Sequence, residues 1–201
     1  MTTLFAPAYV RSKSESRFSV DLMKSADKTE KTQLTPEAKR RRTFDRAIKL
    51  ISAKSRSVAE LRERLLEGQN ATKADVEAVI SRLKEYGYLD DERFAFSYAS
   101  LRVKQRPIGR RRLERDLKFK KVASAVAGEA LDLVYAETSE EELIDRAIEK
   151  RLRTKGKPKT RPEAKTLFDH LLRQGFSFEL VSAKVRAASK PELDDADHAD
   201  F

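Results

Sequence analysis

The chain has 201 residues, 39% hydrophobic and 38% charged, with no cysteine and a formal net charge of +10. That balance is apolar-poor and charge-rich for a globular domain, so several small helical units suit it better than one thick core. Without cysteine there are no disulfides or thiolate metal sites, and the two histidines, His170 and His198, lack carboxylates at ligand spacing, so no metal or other cofactor is expected.

Residues 1–34 are rich in Ser, Thr and Lys without apolar periodicity and read as a disordered extension. Thr35-Pro36 is a helix start, with Thr as cap and Pro in the first turn. Apolar residues then recur at helical spacing. Phe44, Ala47, Ile48 and Ile51 form one stripe. Val58, Leu61 and Leu65 form a second, opened by the capping box Ser57-x-x-Glu60 and closed by Gly68. Val76, Val79, Ile80 and Leu83 form a third, closed by Gly87. There follow Phe94, Tyr98 and Leu101; Leu113 and Leu117; Val122, Val126, Ala130 and Leu133; and Leu143, Ala147 and Ile148 behind a second box, Ser139-x-x-Glu142. Leu167, Phe168, Leu171 and Leu172 follow Pro162, and Val181, Val185 and Ala188 come last. The tail 190–201 is acidic and reads as loose. No stretch alternates with period two for long enough to be a strand.

Nine helices are therefore predicted, and they fall into threes. Asp45-Arg46-Ala47-Ile48 returns unchanged as Asp145-Arg146-Ala147-Ile148. The leucine pairs Leu61/Leu65, Leu113/Leu117 and Leu167/Leu171 sit 52 and 54 residues apart. The expectation is an all-α protein, an elongated array of three tandem three-helix repeats over 35–89, 90–137 and 138–189, each covering apolar surface that its neighbour cannot hide alone.

The run YGYLDDERFAFSY, residues 86–98, holds five of the fifteen Phe and Tyr residues around three acids. Gly87 can take positive φ and end the third helix, with Leu89 tucked beneath it. Asp90 or Asp91 would cap the fourth helix, where its dipole favours an acid. Phe94 and Tyr98 fall on one face. The run thus reads as a seam between the first two repeats. A catalytic or metal-binding Asp90/Asp91 pair is the weaker reading, because adjacent side chains diverge and no third ligand is near. Phe96 lies off the stripe and is the best aromatic for an exposed contact; His170, among Leu and Phe, reads as structural.

The positive charge belongs to the helical part: residues 41–189 carry 34 Lys/Arg and 23 Asp/Glu. Residues 101–121 hold ten bases against two acids: Arg102, Lys104, Arg106, Arg110, Arg111, Arg112, Arg115, Lys118, Lys120 and Lys121. Pro107 and Gly109 bend this run. Residues 146–165 hold nine bases against two acids, among them Arg151, Arg153, Lys155, Lys157 and Lys159. For any single residue a solvated surface is the simplest reading; for the two clusters together a binding role with DNA or an acidic protein groove is preferred.

GYLDDERFAFSYA, then Arg102, Gly109 and RRLERDL, preceded by RSVAELRERLLEG, resembles the RecX family of recombination regulators over about residues 43–188. The matching motif residues are Gly87, Tyr88, Leu89, Asp90, Asp91, Phe94, Ala95, Tyr98, Gly109, Leu113 and Leu117. The resemblance implies three tandem three-helix repeats and no enzymatic activity. It also implies a monomer that binds the RecA–DNA filament in its groove and reduces strand exchange, ATP hydrolysis and co-protease activity, within DNA repair and the SOS response. Weak direct binding to DNA is implied as well. The chain departs from the pattern at Lys120-Lys121-Val122, where the family has Lys-Gly, so the fifth helix is expected to end differently. No run is long and apolar enough to span a membrane, and the N-terminus lacks the pattern of a secretory signal, so a cytoplasmic location is expected. The alternatives are a general DNA-binding protein acting without RecA and a nuclease using Asp90 and Asp91.

Overall fold

The computed structural model describes residues 35–68 and 71–189. Among them lie nine helices and no strand: α1 (Pro36–Ala53), α2 (Val58–Leu66), α3 (Lys73–Glu85), α4 (Asp91–Gln105), α5 (Arg110–Phe119), α6 (Ser124–Glu137), α7 (Glu140–Lys155), α8 (Arg161–Gln174) and α9 (Phe178–Ala188). The expected extension 1–34 and acidic tail 190–201 fall outside the described residues.

Helix starts follow the sequence. The amide of Ala38 donates to Thr35 Oγ1 at 3.3 Å. Ser57, Thr72, Asp90, Ser139, Thr160 and Ser177 each accept a first-turn amide through the side chain, which satisfies a donor that the helix leaves over. Asp90, and not Asp91, caps α4, accepting from Glu92 and Arg93 at 2.9 and 3.0 Å. Before the Thr160 cap, Glu163 Oε2 also accepts the Lys159 amide at 2.7 Å.

Three helix ends share one construction. After α3 the Gly87 and Tyr88 amides donate to the Lys84 and Leu83 carbonyls; after α8 Gly175 and Phe176 donate to Leu172 and Leu171. Lys121 and Val122 do the same after α5, with donors to Lys118 and Leu117. The turn needs a left-handed residue, and Gly87, Lys121 and Gly175 have φ of 71°, 59° and 93°. The fifth helix therefore does not end differently, as the missing glycine had suggested; it ends the same way with lysine in a glycine conformation. Lys121→Gly is expected to be more stable than Lys121→Ala by about 1 kcal/mol in chemical denaturation, since both lose the side chain and only alanine keeps the left-handed strain.

The buried apolar residues fall into two cores. Ala47, Val58, Leu61, Leu65, Val76, Val79, Ile80, Leu83 and Leu89 form the core of α1–α3. Residues from Phe94 to Val185 form one continuous core spanning α4–α9. The leucine pairs at 61/65, 113/117 and 167/171 are all buried. Three apolar assignments are corrected. Leu101 and Leu133 are exposed, and Phe96 is half-buried against the core instead of standing free. In α4 the buried face runs through Phe94, Ala95, Ala99 and Val103; two alanines let the helix backbones approach closely, and Leu101, two residues from Ala99 and Val103, points away.

Two seams join successive modules in a similar way. At the first, the Val58 amide opening α2 donates to Asp91 Oδ1 of α4 at 2.9 Å, and Ser57 Oγ donates to the Lys120 carbonyl closing α5. At the second, the Arg110 amide opening α5 donates to Glu140 Oε1 of α7 at 3.0 Å, and the Gly109 and Arg111 amides donate to the Gln174 and Gly175 carbonyls closing α8 at 3.0 and 3.1 Å. In both, the first amide of one module's middle helix donates to an acid of the next module. The carbonyls closing the next module's middle helix accept from that helix start, from the Ser57 hydroxyl at the first seam and from the Gly109 and Arg111 amides at the second, so the two helix dipoles meet head to tail.

Candidate functional site

The basic residues of 101–121 divide into those the fold uses and those it leaves over. Arg102 is half-buried, lies 3.6 Å from Asp116 and stands over the Tyr98 ring. Arg110 reaches Asp132 at 2.7 Å and Glu114 at 3.3 Å; burial opposes its charge, but these carboxylates outweigh burial and hold its pKa above the ordinary guanidinium value. Arg112 Nη1 donates to the Arg173 carbonyl at 3.2 Å, across the second seam. Lys120 pairs with Glu60 at 3.0 Å and Lys121 with Glu63, both across the first seam. Arg102 and Arg110 are thus used within the second module, and Arg112, Lys120 and Lys121 across its two seams.

Lys104, Arg106, Arg111, Arg115 and Lys118 are exposed and form no ion pair among the described residues. Arg115 is partly ordered by a hydrogen bond from its Nε to the Arg111 carbonyl at 3.3 Å. In the second cluster Arg153, Lys155, Lys157 and Lys159 are exposed, Arg151 is half-buried, and none has an ionic partner among the described residues. The loop after α7 turns at Gly156, whose φ is 77°.

The motif residues take structural places. Leu89, Phe94, Ala95, Leu113 and Leu117 are buried, and Gly87 makes the turn that ends α3. Tyr98 is half-buried and stacks on Phe94 with 6.1 Å between ring centroids. Tyr88 is exposed and meets Tyr86 edge-on. A Cβ on Gly109 would lie 2.2 Å from the Gly175 carbonyl carbon, so no larger residue fits that seam. Both carboxylates of the Asp90-Asp91 pair accept backbone amides, one within α4 and one from α2. No cluster of three or more His, Cys, Asp or Glu able to hold a metal occurs among the described residues, and none of their helices is long and apolar enough to cross a membrane.

Two features escape the sequence reading. Phe119 is 81% exposed beside Lys118; its position two residues beyond Leu117 already places it off the buried face. Lys150 and His170 also join Arg106, Arg112 and Arg151 around one cleft that draws on both basic clusters. Only the fold brings these residues together.

Three-helix modules joined by hydrogen-bonded seams at their middle helices, with a surplus of exposed cations that have no ionic partner among the described residues, define a helical-repeat protein. The family model for the second three-helix domain of RecX matches residues 90–131. The regulatory protein RecX of Bacillus licheniformis is 30% identical over 154 residues, 77% of this chain and 58% of that protein. RecX of Treponema pallidum is 40% identical over 110 residues, 55% of this chain and 66% of that protein. The matched segments thus span 58% and 66% of these two relatives. The crystal structure of RecX from Lactobacillus salivarius superposes with a TM-score of 0.66 at 19% identity, covering 75% of this chain and 96% of that one, a likeness of fold. The chain belongs to the RecX family of regulatory proteins.

Proposed function

We propose that this protein is a cytoplasmic, non-catalytic, monomeric modulator of the RecA recombinase filament in DNA repair and the SOS response. Three helical modules, over 35–89, 90–137 and 138–189, would lie in the groove of the RecA–DNA filament. Their occupancy would obstruct incoming duplex and repressor substrates and hinder the subunit movements of ATP turnover. The observation that carries the reading is the set of exposed cations on α4 and α5, Lys104, Arg111, Arg115 and Lys118, that no carboxylate among the described residues pairs with. A filament groove offers both acidic protein surface and DNA phosphates, and the arginine fork suits either.

The test is co-sedimentation with preformed RecA–single-strand filaments across a salt series, alongside the filament's ATPase rate. Wild-type protein is expected to bind and to slow ATP hydrolysis. Arg111→Glu/Arg115→Glu/Lys118→Glu is expected to bind at least about tenfold more weakly, a loss of about 1.4 kcal/mol. Its salt slope should be shallower by roughly one for each phosphate that the variant no longer neutralises. Unchanged filament affinity in this variant would remove these residues from the interface. The alternative, a general DNA-binding protein acting without RecA, draws support from Phe119, whose exposed ring beside Lys118 suits base stacking. Equal affinity for bare DNA and for the filament at physiological salt would favour it.

A further inference from the structure

The second seam borders a cleft of about 290 Å³ whose walls include Arg106, Arg112, Lys150, Arg151, His170 and Gln174. Arg106 comes from the α4–α5 connection, Arg112 from α5, Lys150 and Arg151 from α7, and His170 and Gln174 from α8. The connection is fixed in place: Tyr135 Oη donates to the Ile108 carbonyl at 2.9 Å and the Gly109 amide to Gln174.

Four cations therefore face one concavity, and no carboxylate of the described residues lines it. Two other clefts differ: the one along α7 and α8 includes Glu163, and the one along α5 and α6 includes Glu114. Arg110 and Lys120, by contrast, are paired with carboxylates. Here Arg106, Lys150 and Arg151 have no ionic partner among the described residues, and Arg112 commits only Nη1, leaving its other guanidinium donors. Like charges gathered in a recess repel one another and raise the local potential for an anion.

We infer that this cleft binds a phosphate group, with Arg106, Arg112 and Arg151 as forked donors to its oxygens and Lys150 as a point charge. Its volume is close to the lower bound of small-molecule sites, roughly 300–1,000 Å³, which is room for a phosphate group and part of what carries it. Free nucleotides and nucleic-acid strand ends both carry such a group. The site rests on the cleft alone and stands whether or not the protein acts on RecA.

His170 is a built-in reporter. Burial, then the charges of Arg151 and Arg173, hold its imidazole below the ordinary histidine value. The titratable groups around it are Arg106 and Arg112, Lys150 and Arg151 of α7, and Arg173 of its own helix; Gln174 Nε2 lies 2.8 Å from His170 Nε2. An anion among these cations reverses their effect on the ring. In the full chain carrying His198→Gln, so that one histidine remains, the His170 proton resonances are followed by NMR through a pH titration with and without sodium tripolyphosphate at matched ionic strength. The midpoint is expected to rise by about 1 unit. Lys150→Gln/Arg151→Gln, checked for unchanged helix content, is expected to lose that rise and to bind tripolyphosphate at least about tenfold more weakly by calorimetry. ATP, a 5′-phosphorylated oligonucleotide and its unphosphorylated counterpart then identify the source. A rise with ATP assigns a free nucleotide, and a rise with the phosphorylated strand alone assigns a strand end. No rise with tripolyphosphate, or the same rise in the double variant, would overturn the site.

Discussion

Gly175→Ala is expected to lower the unfolding free energy by about 3 kcal/mol, the sum of two separate penalties at one position. The residue has φ of 93°, a conformation that costs an L residue roughly 1–2 kcal/mol. A Cβ there would also lie 2.4 Å from both the Cβ and the amide nitrogen of Arg112, and overpacking of that kind costs about 1–3 kcal/mol. Two other glycines separate the terms. Gly87 shares the left-handed backbone, at φ 71°, but a Cβ there meets nothing within 4 Å. Gly109 has an ordinary φ of −84°, but a Cβ there lies 2.2 Å from the Gly175 carbonyl carbon and the Phe176 amide nitrogen. Each single-penalty alanine variant should therefore be milder than Gly175→Ala in urea denaturation. If Gly175→Ala proves no worse than Gly87→Ala, the second seam is loose enough to admit a methyl group.

Phe94→Ala should cost about 3–5 kcal/mol, the range for emptying a buried phenylalanine site. Its ring is 8% exposed, stacks on Tyr98 and belongs to the core that runs continuously through α4–α9. Loss of the ring should lower hydrogen-exchange protection in α4–α9 together, whereas Leu61, Leu65 and Leu83 of the separate α1–α3 core should keep more of theirs. Phe119→Ala is the control: at 81% exposure it should change stability by no more than about 0.5 kcal/mol. Uniform loss of protection across all nine helices would mean that the two cores unfold as one.

The helices and their boundaries were legible because caps and apolar periodicity are local signals. Ser57, Asp90, Ser139 and Gly87 do what their neighbours in the chain imply. The leucine spacing exposed the threefold order. What could not be read was which charges the fold consumes. Lys120 and Lys121 meet Glu60 and Glu63, some sixty residues away, and Arg112 caps a carbonyl sixty-one residues later. A run of bases looks the same whether its members are paired or free. The seams themselves are made largely of backbone amides and carbonyls, which every residue carries, so only Gly109, through its missing side chain, marked one of them. The errors at Leu101 and Leu133 have a related cause: periodicity gives a stripe, but small residues such as Ala95 and Ala99 decide which edge of it a neighbouring helix covers.

The seams have a consequence for how such a protein can shrink. Each consumes an amide that begins a middle helix, Val58 of α2 at the first and Arg110 of α5 at the second. Shortening the series at either place would bare amides that water would then have to serve.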